Sequence, residues 1–134
     1  MALQRLKTSE DKAFATLVGN LFASTTAAHM LHLKVTGEGS YSQHKALGEY
    51  YESLPGFLDS IVEGYQGHHL KLLEPIIVTP PSLKTVKEFV DHLNSLYIII
   101  DEAQQATMCS SLKNVLDEAK SLVNTTKYKL YFLS

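Results

Sequence analysis

Apolar residues recur every three or four positions along most of this chain, which is the period of an amphipathic α-helix. The first such stretch is predicted to begin near Thr8, where Asp11 completes a capping-box-like signal, and to close at Gly37 in the turn sequence TGEG. Its apolar stripe is predicted to face a core and ends in a histidine: Phe14, Leu17, Leu21, Ala28 and His32.

The helical period continues through three further stretches of the sequence. The second helix is predicted over about 40–66 and contains Pro55, which we expect to kink or locally break it because proline has no amide hydrogen. Residues 67–81 are predicted to form an extended linker, since residues that precede proline avoid the helical conformation. The third helix is predicted to begin at Ser82 and the fourth near Ser110. The buried side of the second helix is predicted to consist of Tyr41, Leu47, Tyr51, Leu54, Phe57, Leu58, Ile61 and Val62.

Two helices, a long connection and two more helices predict an all-α fold, a four-helix bundle with one long crossover connection. The 134 residues are enough for one core, so we predict a single domain over residues 1–134. The most apolar stretch contains Asn20 and two histidines, which are costly in lipid, and it is therefore predicted to be a core helix outside any membrane. The first residues lack the pattern of a secretory signal and the single Cys109 fits a reducing compartment, so a cytoplasmic location is expected.

The strongest candidate site consists of two histidines and two carboxylates: His32, His44, Asp59 and Glu63. This donor set suits a divalent first-row metal. Asp59 and Glu63 are one helical turn apart, so they point the same way and can share an ion. Because His44 and Asp59 are separated by fifteen residues, one helix would hold them roughly 22 Å apart. One chain therefore cannot bring all four groups to a single ion, whereas two copies facing each other can.

The segment from about residue 20 to residue 67 resembles the Dps proteins, the small ferritin-like iron-oxidising cage proteins. In that family a ligand histidine at the end of the first helix is followed, at fixed intervals, by a glycine, a second ligand histidine, an aspartate and a glutamate. This sequence has the same residue types at those spacings, at His32, Gly37, His44, Asp59 and Glu63. Within that family the sequence is most similar in appearance to short Dps-like proteins encoded by bacteriophages. Such an origin would place the protein in the host cytoplasm.

The resemblance implies a ferritin-like bundle that binds Fe(II) between two subunits related by a two-fold axis. His32 and His44 would come from one subunit and Asp59 and Glu63 from the other, and these four residues would also carry the oxidation. The oxidant would be peroxide or oxygen, a reaction that protects cells from oxidative stress, and the ferric product would be stored inside a hollow homo-oligomer, up to a dodecamer.

One position departs from the family pattern, since Gly48 stands where the family usually has a further aspartate ligand. A ligand for a second metal ion is then missing, or it is supplied by Glu49, Glu52 or His29. A site with fewer carboxylates suits a single ion, iron or zinc. The alternative is a metal-poor structural or interaction bundle with a degenerate site, and Gly48 and Pro55 are the features that favour it.

Other motifs in the chain are weaker. His68 and His69 are interpreted as an exposed loop, and His92 has no metal-ligand partner at helical spacing. No Glu-x-x-His motif occurs, which disfavours the ordinary di-iron bundle. The net charge is -2, the start MALQRLK is only a short basic segment, and carboxylates interrupt the lysines of the last helix, so no strong DNA binding is expected.

Overall fold

The computed structural model describes residues 8–134, so the predictions that rest on the first seven residues lie outside the described part. The protein folds into four α-helices, which are α1 (Ser9–His32), α2 (Ser40–His69), α3 (Val86–Ala106) and α4 (Ser110–Phe132). Residues 8–134 contain no β-strand, which confirms the predicted all-α four-helix bundle. Among these helices none is both long enough and apolar enough to cross a membrane.

The order of the helices around the core requires one long crossover. α1 packs against α2 and α3, and α4 also packs against α2 and α3, so α2 and α3 lie on a diagonal of the bundle. α2 ends beside the start of α1, where His69 contacts Glu10. α3, in contrast, starts near the other end, where Phe89 meets Tyr50 edge to face. The extended segment 70–85 therefore runs the length of the bundle, and α2 and α3 point in the same direction.

The crossover lies directly on the backbone of α1. The amide of Ile76 donates a hydrogen bond to the carbonyl of Ala15 over 3.1 Å. One turn further along α1 is Gly19, where a Cβ atom would stand only 1.7 Å from the carbonyl oxygen of Ile76. A glycine is therefore needed at this position for the crossover to approach α1 so closely.

The core contains the apolar stripe predicted for α1, whose Phe14, Leu17, Leu21 and Ala28 are fully buried. Two of the largest buried side chains, Tyr50 and Tyr65, lie outside the predicted buried side of α2, because the buried face follows the spacing of Tyr50, Leu54, Leu58, Ile61 and Tyr65 and the prediction chose Tyr41 and Tyr51 instead. The prediction for Tyr41 is wrong, because this side chain is 74% exposed. It lies in the first turn of α2, before the buried positions of that helix begin at Ala46.

Three predicted boundaries or irregularities need correction. α3 begins at Val86 and not at Ser82, because Thr85 and Glu88 form a capping box that starts the helix there. α2 extends to His69, so His68 and His69 belong to its last turn and not to a loop. Pro55 lies inside α2 without interrupting it.

A buried charge fastens the start of the crossover to α1. Asp11 is almost fully buried, and its Oδ2 accepts a hydrogen bond from Lys71 Nζ over 2.8 Å. The Tyr65 hydroxyl donates to Oδ1 of the same carboxylate. Burial acts to raise the pKa of Asp11, but the hydrogen bonds from Lys71, Tyr65 and Thr8 outweigh it and hold this pKa well below its usual range. The carboxylate is therefore a charged structural group that joins α1, α2 and the crossover.

A second polar network crosses the core between α1, α2 and α3. Ser24 Oγ lies 2.6 Å from the Tyr50 hydroxyl oxygen and 2.8 Å from His92 Nε2. His92, which had no metal-ligand partner in the sequence pattern, is thus a half-buried residue with its hydrogen bond satisfied. Burial lowers the pKa of His92 and raises that of Tyr50, because it disfavours the charged form of each group.

The lowered pKa of His92 predicts a loss of stability in mild acid. The ordinary pKa of the group is 6.5, and below that pH the unfolded chain takes up a proton that the folded chain resists. The contribution of His92 is therefore fully present above pH 6.5 and is lost as the pH falls from 6.5 through the lowered pKa. We expect urea unfolding at about pH 7.5 and about pH 5.5 to show this loss.

The matched variant for this test is His92→Gln, whose amide can still hydrogen-bond Ser24 but does not titrate. Every other histidine contributes equally to both proteins, so the difference between them isolates His92. Asp11 does not interfere, because its lowered pKa confines its effect to much stronger acid. If the wild type and the variant lose the same stability between the two pH values, the assignment is wrong.

Candidate metal-binding half-sites

The first half-site is a pair of stacked histidines at one end of the bundle. α1 ends at His32, and the short turn 33–39 reverses the chain into α2. Gly37 and Gly39 supply this reversal with positive φ angles of 88° and 79°. The turn brings His44, in the second turn of α2, against His32, with ring centroids 3.5 Å apart and an interplanar angle of 22°.

Two reciprocal hydrogen bonds fix the orientation of both rings. His32 Nδ1 lies 2.8 Å from the carbonyl oxygen of His44, and His44 Nδ1 lies 2.9 Å from the carbonyl oxygen of His32. A carbonyl oxygen can only accept, so each Nδ1 carries the hydrogen. In the neutral rings each Nε2 then holds a lone pair that is free to bind a metal. A backbone carbonyl bound to the other ring nitrogen is the arrangement usual for metal-binding histidines.

The surroundings of the pair show which of the suggested extra ligands are engaged elsewhere. His29 stacks on Tyr51, with centroids 4.2 Å apart and an interplanar angle of 13°. Glu49 forms an ion pair with Lys129 over 3.1 Å. A Cβ atom at Gly48 would lie 3.5 Å from His32 Cε1, which is ordinary van der Waals contact. Position 48 therefore brings no carboxylate to the His32 ring, although a Cβ atom would fit there.

The second half-site is the carboxylate pair on the exposed side of α2. Asp59 and Glu63 are both exposed, and α2 runs without interruption from His44 to this pair. The helix therefore holds the two half-sites roughly 22 Å apart. Within residues 8–134, no group of three or more His, Cys, Asp or Glu side chains is placed to hold a metal ion.

Partly apolar surface borders Asp59 of the carboxylate pair. Asp59 borders a shallow groove of about 230 Å³ between α1 and α2, together with Phe22, Thr25, Thr26, Pro55 and Leu58. Phe22 is 55% exposed, and Met30 and Leu33 are also exposed further along α1 toward the histidine pair. One face of the α1–α2 hairpin thus carries a histidine pair, exposed apolar side chains and a carboxylate pair.

The chain is thus a four-helix bundle with two separated sets of metal-type ligands on its surface. Residues 32–130 match the family described as "Family of unknown function (DUF5856)". Because this match covers well over half of the chain, the chain belongs to that family. No curated protein and no solved structure matches it. The four predicted ligands all lie within the matched residues 32–130.

Proposed function

We propose that the protein is a Dps-like ferritin protein that binds Fe(II) between two copies of the chain and oxidises it. The observation that carries this proposal is the histidine pair, whose reciprocal hydrogen bonds leave both Nε2 atoms free. His32 and His44 of one copy would act with Asp59 and Glu63 of the other. The ion is the substrate, and the ferric product would be stored in a hollow homo-oligomer in the cytoplasm.

The two half-sites supply different parts of the chemistry. The imidazole rings of His32 and His44 are neutral nitrogen donors of fixed direction, and they bind a first-row metal without adding charge. Asp59 and Glu63 supply two negative charges, which stabilise Fe(III) more than Fe(II) and so ease oxidation. The electrons would go to peroxide or oxygen, as the resemblance to the Dps proteins implies.

The hairpin face offers the contact through which two copies would meet. In a two-fold contact the same patch of each copy touches the other, so a histidine pair at one end meets a carboxylate pair at the other, twice per dimer. Phe22 and Leu33, both exposed on α1, are the apolar side chains that such a contact would remove from water. The distance between the histidine pair and the carboxylate pair of one chain is then the distance that a two-fold contact between copies requires.

The residue at position 48 favours one ion in each site. Gly48 brings no carboxylate to the His32 ring, Glu49 is paired with Lys129, and His29 is stacked on Tyr51. Glu52 is exposed and lies eight residues after His44, outside the helical phase of a ligand one turn away. Without it, four ligands remain for a single ion, which is iron under this proposal. Zinc binds the same donor types and is the competing ion.

The test compares Fe(II) oxidation, followed by the absorbance of the ferric product, in the wild type and in Asp59→Ala/Glu63→Ala. We expect the double variant to lose at least about 100-fold of the initial rate, because the site loses half of its ligands. The control is Glu74→Ala/Glu118→Ala, which removes two exposed carboxylates outside both half-sites and should leave the rate unchanged. Equal rates in the wild type and the Asp59→Ala/Glu63→Ala protein would contradict the proposal.

A second candidate is a structural or interaction bundle whose site has degenerated. The missing carboxylate at Gly48 favours it, because a glycine offers no ligand beside the His32 ring. Metal content and mass in solution separate the two candidates. Protein purified without chelator that is a metal-free dimer supports the structural bundle, whereas a metal-loaded particle of about twelve chains supports the Dps-like protein.

A further inference from the structure

The side chain of Tyr51 meets both histidines that end α1. Tyr51 lies on α2 seven residues after His44 and three after Gly48, so all three share one helix face. Its ring stacks on His29 at 4.2 Å and meets His32 at 5.1 Å with an interplanar angle of 80°. His32 therefore has His44 against its face and Tyr51 at the side.

His32 needs such support because of where it lies. It is the last residue of α1, and its side chain is only partly buried. Gly48 faces the ring with its backbone alone, so no side chain from that position packs against His32. The hydrogen bond to the His44 carbonyl fixes one ring nitrogen, but a single hydrogen bond still allows the ring to rock about it. The aromatic ring of Tyr51 restricts this rocking of the His32 ring by van der Waals packing alone.

We propose that Tyr51 is a positioning residue for the histidine half-site and that it acts through His32. Its stacking on His29 keeps the Tyr51 ring in place. The inference rests on the proposed function, in which His32 Nε2 binds a metal ion. The aromatic ring is the part that acts. Within residues 8–134 the Tyr51 hydroxyl has no hydrogen-bond partner, whereas its ring makes both aromatic contacts. The ring holds His32 in the orientation that its hydrogen bond sets, so both Nε2 atoms are in place before a metal arrives.

The test uses two substitutions of the same residue in the full-length protein. Tyr51→Phe keeps the ring, and Tyr51→Leu removes it while keeping a smaller apolar side chain. With Co(II) as a spectroscopic probe, we expect Tyr51→Phe to bind within about twofold of the wild type. Tyr51→Leu should bind about 10-fold more weakly or worse, the range found for residues that orient metal ligands. The matched control is Tyr97→Leu, which removes a half-buried tyrosine from α3.

A readout on the metal-free protein separates the inference from the proposed function. The Nδ1 hydrogen of His32 should give a protected NMR signal in the wild type and in Tyr51→Phe, and it should be lost in Tyr51→Leu. If Tyr51→Leu keeps both this signal and wild-type Co(II) affinity, the inference is wrong. If the signals behave as expected but wild-type protein binds no Co(II), the positioning role stands and the proposed metal site fails. A loss of the signal in Tyr97→Leu would also overturn the inference, because general loosening of the fold would then explain the result.

Discussion

Gly19→Ala is expected to lower the free energy of unfolding by about 3 kcal/mol, the largest effect on stability that we expect from a single methyl group in this protein. The added Cβ would stand 1.7 Å from the Ile76 carbonyl oxygen. This neighbour is backbone, so the crossover itself must move. Such a movement strains the hydrogen bond from the Ile76 amide to the Ala15 carbonyl.

The matched control for this substitution is Gly56→Ala on α2. Gly56 is an exposed helical glycine, and a Cβ atom there would have no neighbour within 4 Å. The same chemical change should therefore raise stability by up to about 1 kcal/mol, the usual gain in helix propensity. Both variants are measured by urea unfolding at neutral pH. If Gly19→Ala is as stable as the wild type, the crossover does not lie against α1 as described.

The consequence of Gly19→Ala should extend to the proposed assembly. Phe22 lies three residues after Gly19 and therefore close to the same side of α1. A crossover pushed away from α1 would disturb the apolar surface around Phe22 through which two copies would meet. The variant is therefore expected to dissociate at lower denaturant concentration than the wild type.

The helices were predictable because periodicity reports directly on burial. Phe14, Leu17 and Leu21 follow the spacing of one helix face, and that face is the core. α3 begins four residues later than predicted, since the prolines before it mark only the first position at which a helix can begin. The capping box of Thr85 and Glu88 decided where it does begin, because it satisfies amide groups that an earlier start would leave bare.

The candidate site was predictable in its parts but not in its arrangement. The ligand types and spacing of His32 and His44 were visible in the sequence, and the length of α2 implied that Asp59 lies far away. The stacking of the two rings depends on the path of the turn 33–39, which no periodicity describes. Tyr51 could have been found, because it follows His44 by seven residues and so shares its helix face. The sequence pattern instead predicts that Tyr51 is buried, because an aromatic residue in a helical stripe usually belongs to the core.

Two variants that are each inactive are expected to recover about a quarter of wild-type Fe(II) oxidation when they are mixed. One variant is His32→Asn/His44→Asn, and the other is Asp59→Ala/Glu63→Ala. In each pure protein every intersubunit site lacks one half, so both should be inactive. In a mixed dimer one site lacks both halves, but the other combines intact histidines from one copy with intact carboxylates from its partner.

The histidine substitutions are chosen to leave the fold undisturbed. The Asn side-chain amide can replace Nδ1 as donor to the facing carbonyl, so the reciprocal hydrogen bonds of 2.8 and 2.9 Å have a substitute. Asn has no counterpart of Nε2, so the metal donors are lost. Random exchange of subunits makes about half of the dimers mixed, and half of the sites in those dimers are complete, which is the origin of the quarter.

Subunit exchange is achieved by refolding the two variants together, and oxidation is measured at equal total protein. A mixture of two batches of the histidine variant is the control and should stay inactive. Activity that remains absent in the mixture, while the wild type oxidises Fe(II), would mean that the four residues do not act across two chains. Recovery can arise only if a histidine pair and a carboxylate pair from different chains meet, because α2 keeps the pairs of one chain apart. The experiment therefore tests the contact between copies and the ligand set together, which loss of activity in a single variant cannot do.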